Sequence, residues 1–228
     1  MSRFKPHLRI LPRQQRALWP HLAPAKELGF VLYGGTAITL RLGHRESVDF
    51  DFFTEKPLGK AEIYAAMPLL KKGEVLQEGP DTLAISVTPP GMADPVKVSF
   101  LAMIAFGRCG EPELTEDGVL RVASLDDLMA TKLKVILDRT EKKDYDDLAS
   151  LIDSGMDVPR GLAVARKLFP QLNPQIVLKA LAYHDDIKPK LSAKSRKLLI
   201  DGAKSVNDLP EVKLRSKSLG HEGTVGKD

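Results

Sequence analysis

Apolar residues recur at two different spacings in the first half of the chain. Short apolar or alternating segments predict strands over 30–33, 48–53, 74–77, 82–88, 96–103 and 119–122. Helical spacing predicts helices over 13–28, 36–42 and 58–71. We therefore expect an α+β domain over residues 1–122, built as a mixed sheet with helices.

The second half has helical spacing throughout. Ser124, followed by two aspartates, is a good N-cap for a helix that carries apolar residues up to Ile136. Further helices are predicted over 143–154, 159–169, 174–184 and 192–205. A helical domain, a bundle over residues 123–207, thus follows the sheet domain. Residues 208–228 have no periodic apolar positions, so we expect a disordered tail there.

Composition restricts the class of protein. Of 228 residues, 43% are hydrophobic and 28% are charged, as in ordinary soluble proteins. Charge interrupts every apolar run before the roughly 20 residues of a membrane span, and the N-terminus has no apolar signal core. We expect a cytoplasmic protein without a membrane partner. The single cysteine, Cys109, excludes an internal disulfide and a cysteine cluster for zinc.

The net charge of +4 is mild, and much of the excess lies between residues 188 and 217. We interpret this basic run as a solvated surface, because such charge is common on soluble proteins. A phosphate-contacting surface for RNA is the alternative.

Two aspartates lie one residue apart on an apolar segment. Asp49 and Asp51 would share one face of a strand, while Phe50 and Phe52 fill the other. Adjacent carboxylates repel each other unless a divalent cation lies between them. Two solvated charges on an edge strand are the alternative, but the phenylalanines make this strand too apolar for an edge. We predict a metal site at Asp49 and Asp51.

Glycines precede these aspartates at the start of a predicted helix. The free N–H groups of a first helical turn attract phosphate, and glycine allows close approach. Gly34 and Gly35 would form this cradle, with the Thr36 hydroxyl beside them. The combination of cradle and carboxylates predicts binding of a nucleoside triphosphate (NTP) with Mg²⁺.

Two segments, YGGTAITLRLGHRESVDFDFF (33–53) and VASLDDLMATKLKVILDRTEKKDYDDLASLI (122–152), resemble the AbiEii/AbiGii-type nucleotidyltransferases of toxin–antitoxin and phage-defence systems. This family is a branch of the polymerase β-like superfamily. The resemblance implies the fold of that superfamily. It also implies Mg²⁺-dependent transfer of a nucleoside monophosphate to tRNA or to a protein side chain, and a cognate antitoxin as a partner.

The second segment adds charged residues. Lys132 and Arg139, seven apart on the predicted helix, would project from nearly the same face and contact the triphosphate. Asp144 and Asp147 would share the next helix face. The resemblance implies that Lys132 and Asp144 are the conserved lysine and aspartate of the family, with catalytic roles. Without a function, Lys132 would extend its ammonium to solvent and the aspartates would stabilise a helix start.

The turn before the aspartates carries HRES, which matches the HRxS signature of the family. Arg45 would hold phosphate or brace the carboxylates, Ser47 would cap the turn, and His44 would support it by hydrogen bonding.

One position departs from polymerase β-like enzymes, which have a third carboxylate on a later strand. Ser99 occupies that place, and Asp94 has the wrong parity to substitute for it. The main alternative is therefore an NTP-binding regulatory protein with impaired catalysis. A phosphotransferase that moves the γ-phosphate is a second alternative.

Overall fold

The computed structural model describes residues 2–220, which form two compact units. The first unit comprises residues 2–107, 111–123 and 216–220. The second comprises residues 108–110 and 124–215. Within the described residues, no helix is long and apolar enough to cross a lipid bilayer.

An eight-stranded mixed sheet forms the first unit, in the order β1-β7-β8-β2-β3-β6-β5-β4. The strands are β1 (Arg3–Phe4), β2 (Val31–Tyr33), β3 (Asp49–Phe53), β4 (Glu74–Glu78), β5 (Thr82–Val87), β6 (Val96–Leu101), β7 (Glu113–Thr115) and β8 (Arg121–Val122). The central strand β3 is antiparallel to β2 and parallel to β6. The α+β class with a mixed sheet is therefore confirmed.

Aromatic side chains form the core on one face of this sheet. Phe50, Phe52 and Phe100 are almost completely buried. The Phe52 and Phe100 rings stack with centroids 5.4 Å apart, and Trp19 packs 6.2 Å from Phe50. The alternate residues of β3 consequently lie on the opposite face.

Three α-helices accompany the sheet: α1 (Arg13–Leu18), α2 (Gly34–Leu42) and α3 (Lys60–Ala66). Two predicted helices are shorter than expected. The one predicted over 13–28 becomes a 3₁₀ helix at Trp19–Lys26, and the one predicted over 58–71 becomes a 3₁₀ helix at Pro68–Lys72. Prolines at both places lack the N–H that an α-helix requires.

The second unit contains α4 (Leu125–Asp138), α5 (Lys142–Asp153), α6 (Val158–Leu168), α7 (Pro174–Ala182) and α8 (Ala193–Lys204). Four of these helices begin after a side chain that accepts a hydrogen bond from a first-turn N–H, namely Ser124, Asp157, Asn173 and Ser192. Such caps satisfy first-turn donors, so the helix starts lie within one residue of the predicted ones.

The segment 216–220 differs from the predicted disordered tail. The Ser218 hydroxyl and the Leu219 N–H donate to the two carboxylate oxygens of Glu55, at 2.7 and 3.0 Å, and Leu219 is fully buried. The hydrogen bonds outweigh partial burial and lower the pKa of Glu55. The sequence does not reveal these partners, because they lie more than 160 positions apart. Residues 221–228 of the predicted tail lie outside the described residues.

Candidate functional site

The two aspartates of β3 lie side by side on the sheet face opposite the aromatic core. Burial alternates along β3, with Asp49 and Asp51 half-buried and Phe50 and Phe52 buried. This alternation follows from the period of two along a strand. The carboxylates are therefore held on a rigid central strand and still reach solvent.

The start of α2 lies directly against Asp51. Gly34 has a φ of +74°, and a Cβ atom there would lie 2.7 Å from Asp51 Oδ2. Only glycine fits this close approach and this left-handed backbone without strain. The first turn of α2 consequently adjoins the carboxylate, as the predicted arrangement of Gly34 and Gly35 requires.

Thr36 differs in part from its predicted role. The residue is 1% exposed, and its hydroxyl donates to the main-chain carbonyl of Asp49 and lies 2.9 Å from the Ser47 hydroxyl. The hydroxyl therefore connects α2 to the turn and to β3, and it is not presented to a ligand. The sequence placed Thr36 near the aspartates but gave no sign of these buried partners.

Arg45 lies in the turn between α2 and β3. Its Nη1 donates to the carbonyl of Glu46 at 2.8 Å, and its own carbonyl accepts from the Thr39 hydroxyl at 3.1 Å. These bonds shape the turn and fix the backbone that carries the guanidinium. The neighbouring His44 is half-buried in the same turn.

Ser99 occupies the position where a third carboxylate was expected. The parallel register of β3 and β6 pairs Asp51 with Ser99 and Asp49 with Lys97. Ser99 is 6% exposed, whereas Lys97 is exposed. Among residues 2–220 no group of three or more His, Cys, Asp or Glu is arranged to hold a metal. The acidic part of this site in the described chain is thus the Asp49–Asp51 pair.

A second cluster of charges lies inside the helical unit. Lys132 Nζ lies 2.6 Å from Asp144 Oδ1 and 2.7 Å from Asp147 Oδ2. Both carboxylates are fully buried and Lys132 is 5% exposed. The ammonium is therefore buried. The alternative interpretation, in which Lys132 has no function and extends its ammonium to solvent, is wrong. Asp147 thus belongs to the cluster together with Asp144. Its position three residues after Asp144 indicated that both carboxylates lie on one helix face.

Arg139 reaches the same cluster from a different backbone position than predicted. Helix α4 ends at Asp138, and Arg139 is its extended C-cap. From there Nε and Nη2 donate to Asp144 Oδ2 and Oδ1 at 2.8 and 3.2 Å. Burial alone would raise the pKa of Asp144, but Arg139 and Lys132 outweigh it and lower that pKa. The side chain of Arg139 is 46% exposed.

The structure thus brings the predicted site residues together in two groups. One group is on the sheet unit and contains Gly34, Gly35, Thr36, Arg45, Asp49 and Asp51. The other is within the helical unit and contains Lys132, Arg139 and Asp144.

Comparisons with known proteins bear on the family and the fold of this chain. Residues 17–201 match the family model described as "Nucleotidyl transferase AbiEii toxin, Type IV TA system". The chain is 32% identical over 165 residues to the uncharacterized protein aq_aa25 of Aquifex aeolicus (strain VF5), covering 71% of this chain and 77% of that protein. Its fold is similar to a crystal structure from H. pylori described as a "putative nucleotidyltransferase", with a TM-score of 0.55 and 19% identity over 84% of this chain and 91% of that chain.

Proposed function

Because this chain belongs to the AbiEii family of nucleotidyltransferase toxins of type IV toxin–antitoxin systems, we propose that it is a Mg²⁺-dependent enzyme that transfers a nucleoside monophosphate from an NTP. The acceptor is a hydroxyl of an RNA such as tRNA, or of a protein side chain. A cognate antitoxin would control the transfer. The observation that carries this proposal is the Asp49–Asp51 pair on one face of β3, directly against the glycine start of α2.

The residues present fit the cation that this chemistry needs. Two half-buried carboxylates of a central strand are the hard oxygen ligands that Mg²⁺ prefers. The absence of a Cβ atom at Gly34 lets the Asp51 carboxylate lie directly against the start of α2, where the first-turn N–H groups can hold phosphate. When bound, Mg²⁺ would neutralise phosphate charge and lower the pKa of the attacking hydroxyl.

The chain's own residues then have separate tasks in the reaction. Asp49 and Asp51 hold the cation, and the N–H groups at the start of α2 hold phosphate oxygens. Arg45 supplies positive charge from the adjoining turn. The acceptor hydroxyl gives its proton to solvent water as its oxygen attacks the α-phosphorus in line. The bond from that phosphorus to the oxygen bridging the α- and β-phosphates breaks, and pyrophosphate leaves with the negative charge.

The roles of the second cluster follow from its pairing. A phosphate contact by Lys132 stays a prediction, because its ammonium already contacts two buried carboxylates. Arg139 is the more exposed cation of the cluster and suits a phosphate better. We assign Asp144 the task of orienting Arg139, since it accepts two of its N–H groups.

The second candidate function, an NTP-binding regulatory protein with impaired catalysis, is favoured by Ser99. A serine hydroxyl beside Asp51 neither accepts a proton at neutral pH nor adds charge to a metal site. If a third carboxylate is the base of this reaction, binding would persist while transfer becomes slow.

One experiment separates these functions. Purified protein is incubated with Mg²⁺, total tRNA and each of the four NTPs labelled at the α-phosphate. We expect label on the RNA, or on a protein band if the acceptor is a protein, and no transfer by the Asp49→Asn/Asp51→Asn variant. Transfer of label only from γ-labelled NTP would identify a phosphotransferase. Mg²⁺-dependent NTP binding without any transfer would support the regulatory protein.

A further inference from the structure

The N-terminal segment has an unusual charge distribution. Between residues 2 and 26 the chain contains six Lys or Arg residues and no Asp or Glu. Residues 5–10, KPHLRI, are here called the basic arm. Its Lys5, His7 and Arg9 side chains are exposed, and the residues between them are half-buried.

The basic arm is fixed to the sheet unit at several points. It follows β1, which pairs with β7, and the His7 N–H donates to the carbonyl of Leu40 in α2 at 2.8 Å. Arg16 Nη1 donates to the carbonyls of Arg9 and Leu11 at 3.1 and 2.6 Å. Pro6 within the arm and Pro12 two residues after it restrict the backbone further. The backbone of the arm is therefore already ordered, and only its side chains lose conformational freedom when they bind a ligand.

A pocket of about 550 Å³ lies along the arm and ends at Gly43, the C-cap of α2. Its lining residues are those of the arm and Gly43, and none of them is acidic. The imidazole of His7 lies against Gly43, where a Cβ atom would be 2.9 Å from Nδ1. Among the described residues, the side chains of Lys5, His7 and Arg9 form no ion pair or hydrogen bond, so their donors face solvent.

The basic run at residues 188–217 is different in this respect. Lys194 pairs with Asp153 at 2.7 Å, and Lys197 pairs with Asp201 within α8. These neighbours neutralise part of the charge of that surface. An anion therefore meets fewer neutralising carboxylates at the arm than at the basic run 188–217.

The arm also lies at a defined distance from the candidate site. Helix α2 begins at Gly34, against Asp51, and ends beside the arm at Gly43. Its nine residues span about 13 Å. With about 3.4 Å of axis per phosphate of a strand, this length corresponds to roughly four nucleotides.

We propose that the basic arm binds the phosphate backbone of an RNA acceptor, a few nucleotides before the end that enters the site at Asp49 and Asp51. This inference rests on the proposed function and selects RNA over protein as the acceptor. Regularly spaced phosphates match cations of a single sign, whereas protein interfaces are enriched in aromatic residues and depleted in lysine. The half charge at the C-terminal end of α2 opposes anions, and Lys5 and Arg9 outweigh it.

The test measures RNA binding by the full chain without nucleotide and in EDTA. The probe is a fluorescent RNA hairpin with a four-nucleotide 3′ single strand, and its affinity is determined by anisotropy at several salt concentrations. The variant is Lys5→Ala/Arg9→Ala. The control, Lys188→Ala/Lys190→Ala, removes the same charge from the C-terminal basic run. Calorimetric NTP binding is measured on all three proteins.

Loss of two phosphate contacts lowers the slope of log K against log salt by about 1.4 and weakens binding about tenfold at 0.15 M salt. We expect this for the arm variant, an unchanged control and equal NTP binding in all three proteins. An unchanged slope in the arm variant, or the loss appearing in the control instead, overturns the proposal. Tighter binding to a poly-glutamate peptide than to RNA would overturn it in favour of an acidic protein. If none of the three proteins binds NTP, the proposed function is contradicted. The RNA measurements then still decide whether the arm binds RNA.

Discussion

Replacing Lys132 by methionine tests whether this lysine stabilises the helical unit or binds phosphate. Methionine has a similar shape without the charge. The change leaves the fully buried carboxylates of Asp144 and Asp147 with one cation fewer, although Arg139 still contacts Asp144. Removing one partner of a buried ion pair costs about 3–5 kcal/mol. We expect the free energy of unfolding to fall by that amount.

The assay is urea unfolding followed by circular dichroism at 222 nm, with linear extrapolation to water. Lys134→Met is the matched control on the same helix. Lys134 pairs with Asp138 four residues on, and both side chains are more than a third exposed. A surface pair of this kind contributes about 0–1 kcal/mol, so the control should unfold almost like the native protein.

A second variant keeps the test decisive if Lys132→Met fails to fold. Lys132→Met/Asp144→Asn/Asp147→Asn removes the buried charges together, and we expect it to regain much of the lost stability. Lys132→Met with native stability and triphosphate binding lost, while nucleoside binding persists, would refute the structural reasoning. It would show that phosphate is the functional partner of this lysine.

Four further predictions concern the two groups of site residues. Asp51→Asn should abolish Mg²⁺-dependent NTP binding in calorimetry while the circular dichroism spectrum stays native. Gly34→Ala should also abolish NTP binding, because its Cβ would meet Asp51. The control Gly91→Ala has a φ of +75° and open space around it, so it should keep NTP binding and lose only the roughly 1–2 kcal/mol of unfolding free energy that a left-handed backbone costs. Ser99→Asp should raise the transfer rate by about 10²–10⁴-fold if the missing acid is the base, and an unchanged rate would exclude that. Because the pKa of Asp144 is lowered in the folded state, its ionised carboxylate stabilises the fold at pH values above the ordinary pKa of 3.8. The free energy of unfolding should lose this contribution as the pH falls below about 4, which acid unfolding measures.

Periodicity was sufficient for most of the fold. The helices of the second unit have long apolar stripes and four of the five have side-chain caps, so their predicted bounds lie within two residues of the observed ones. Strands β1 and β7 have two and three residues, too few to show a period, and the sequence missed them. Their pairing depends on partners more than a hundred residues apart, which local patterns do not contain.

The face on which a side chain lies was predictable, whereas its partner was not. The alternation along β3 and β6 placed Asp51 and Ser99 on corresponding faces, and the register then made them neighbours. The helical spacing of Lys132 equally showed a residue on an apolar face. It gave no sign of the two carboxylates of α5, because these come from another helix.

The presence of Ser99 determines how the metal would be bound. Two carboxylates supply at most four oxygens, and Mg²⁺ requires about six ligands in near-octahedral geometry. Ser99 adds a neutral hydroxyl, and Lys97, in register with Asp49, brings positive charge to the same row. Both features weaken the affinity for a free cation relative to a site with three carboxylates. The remaining ligands must then come from phosphate oxygens and water, so Mg²⁺ should bind together with the nucleotide and not before it.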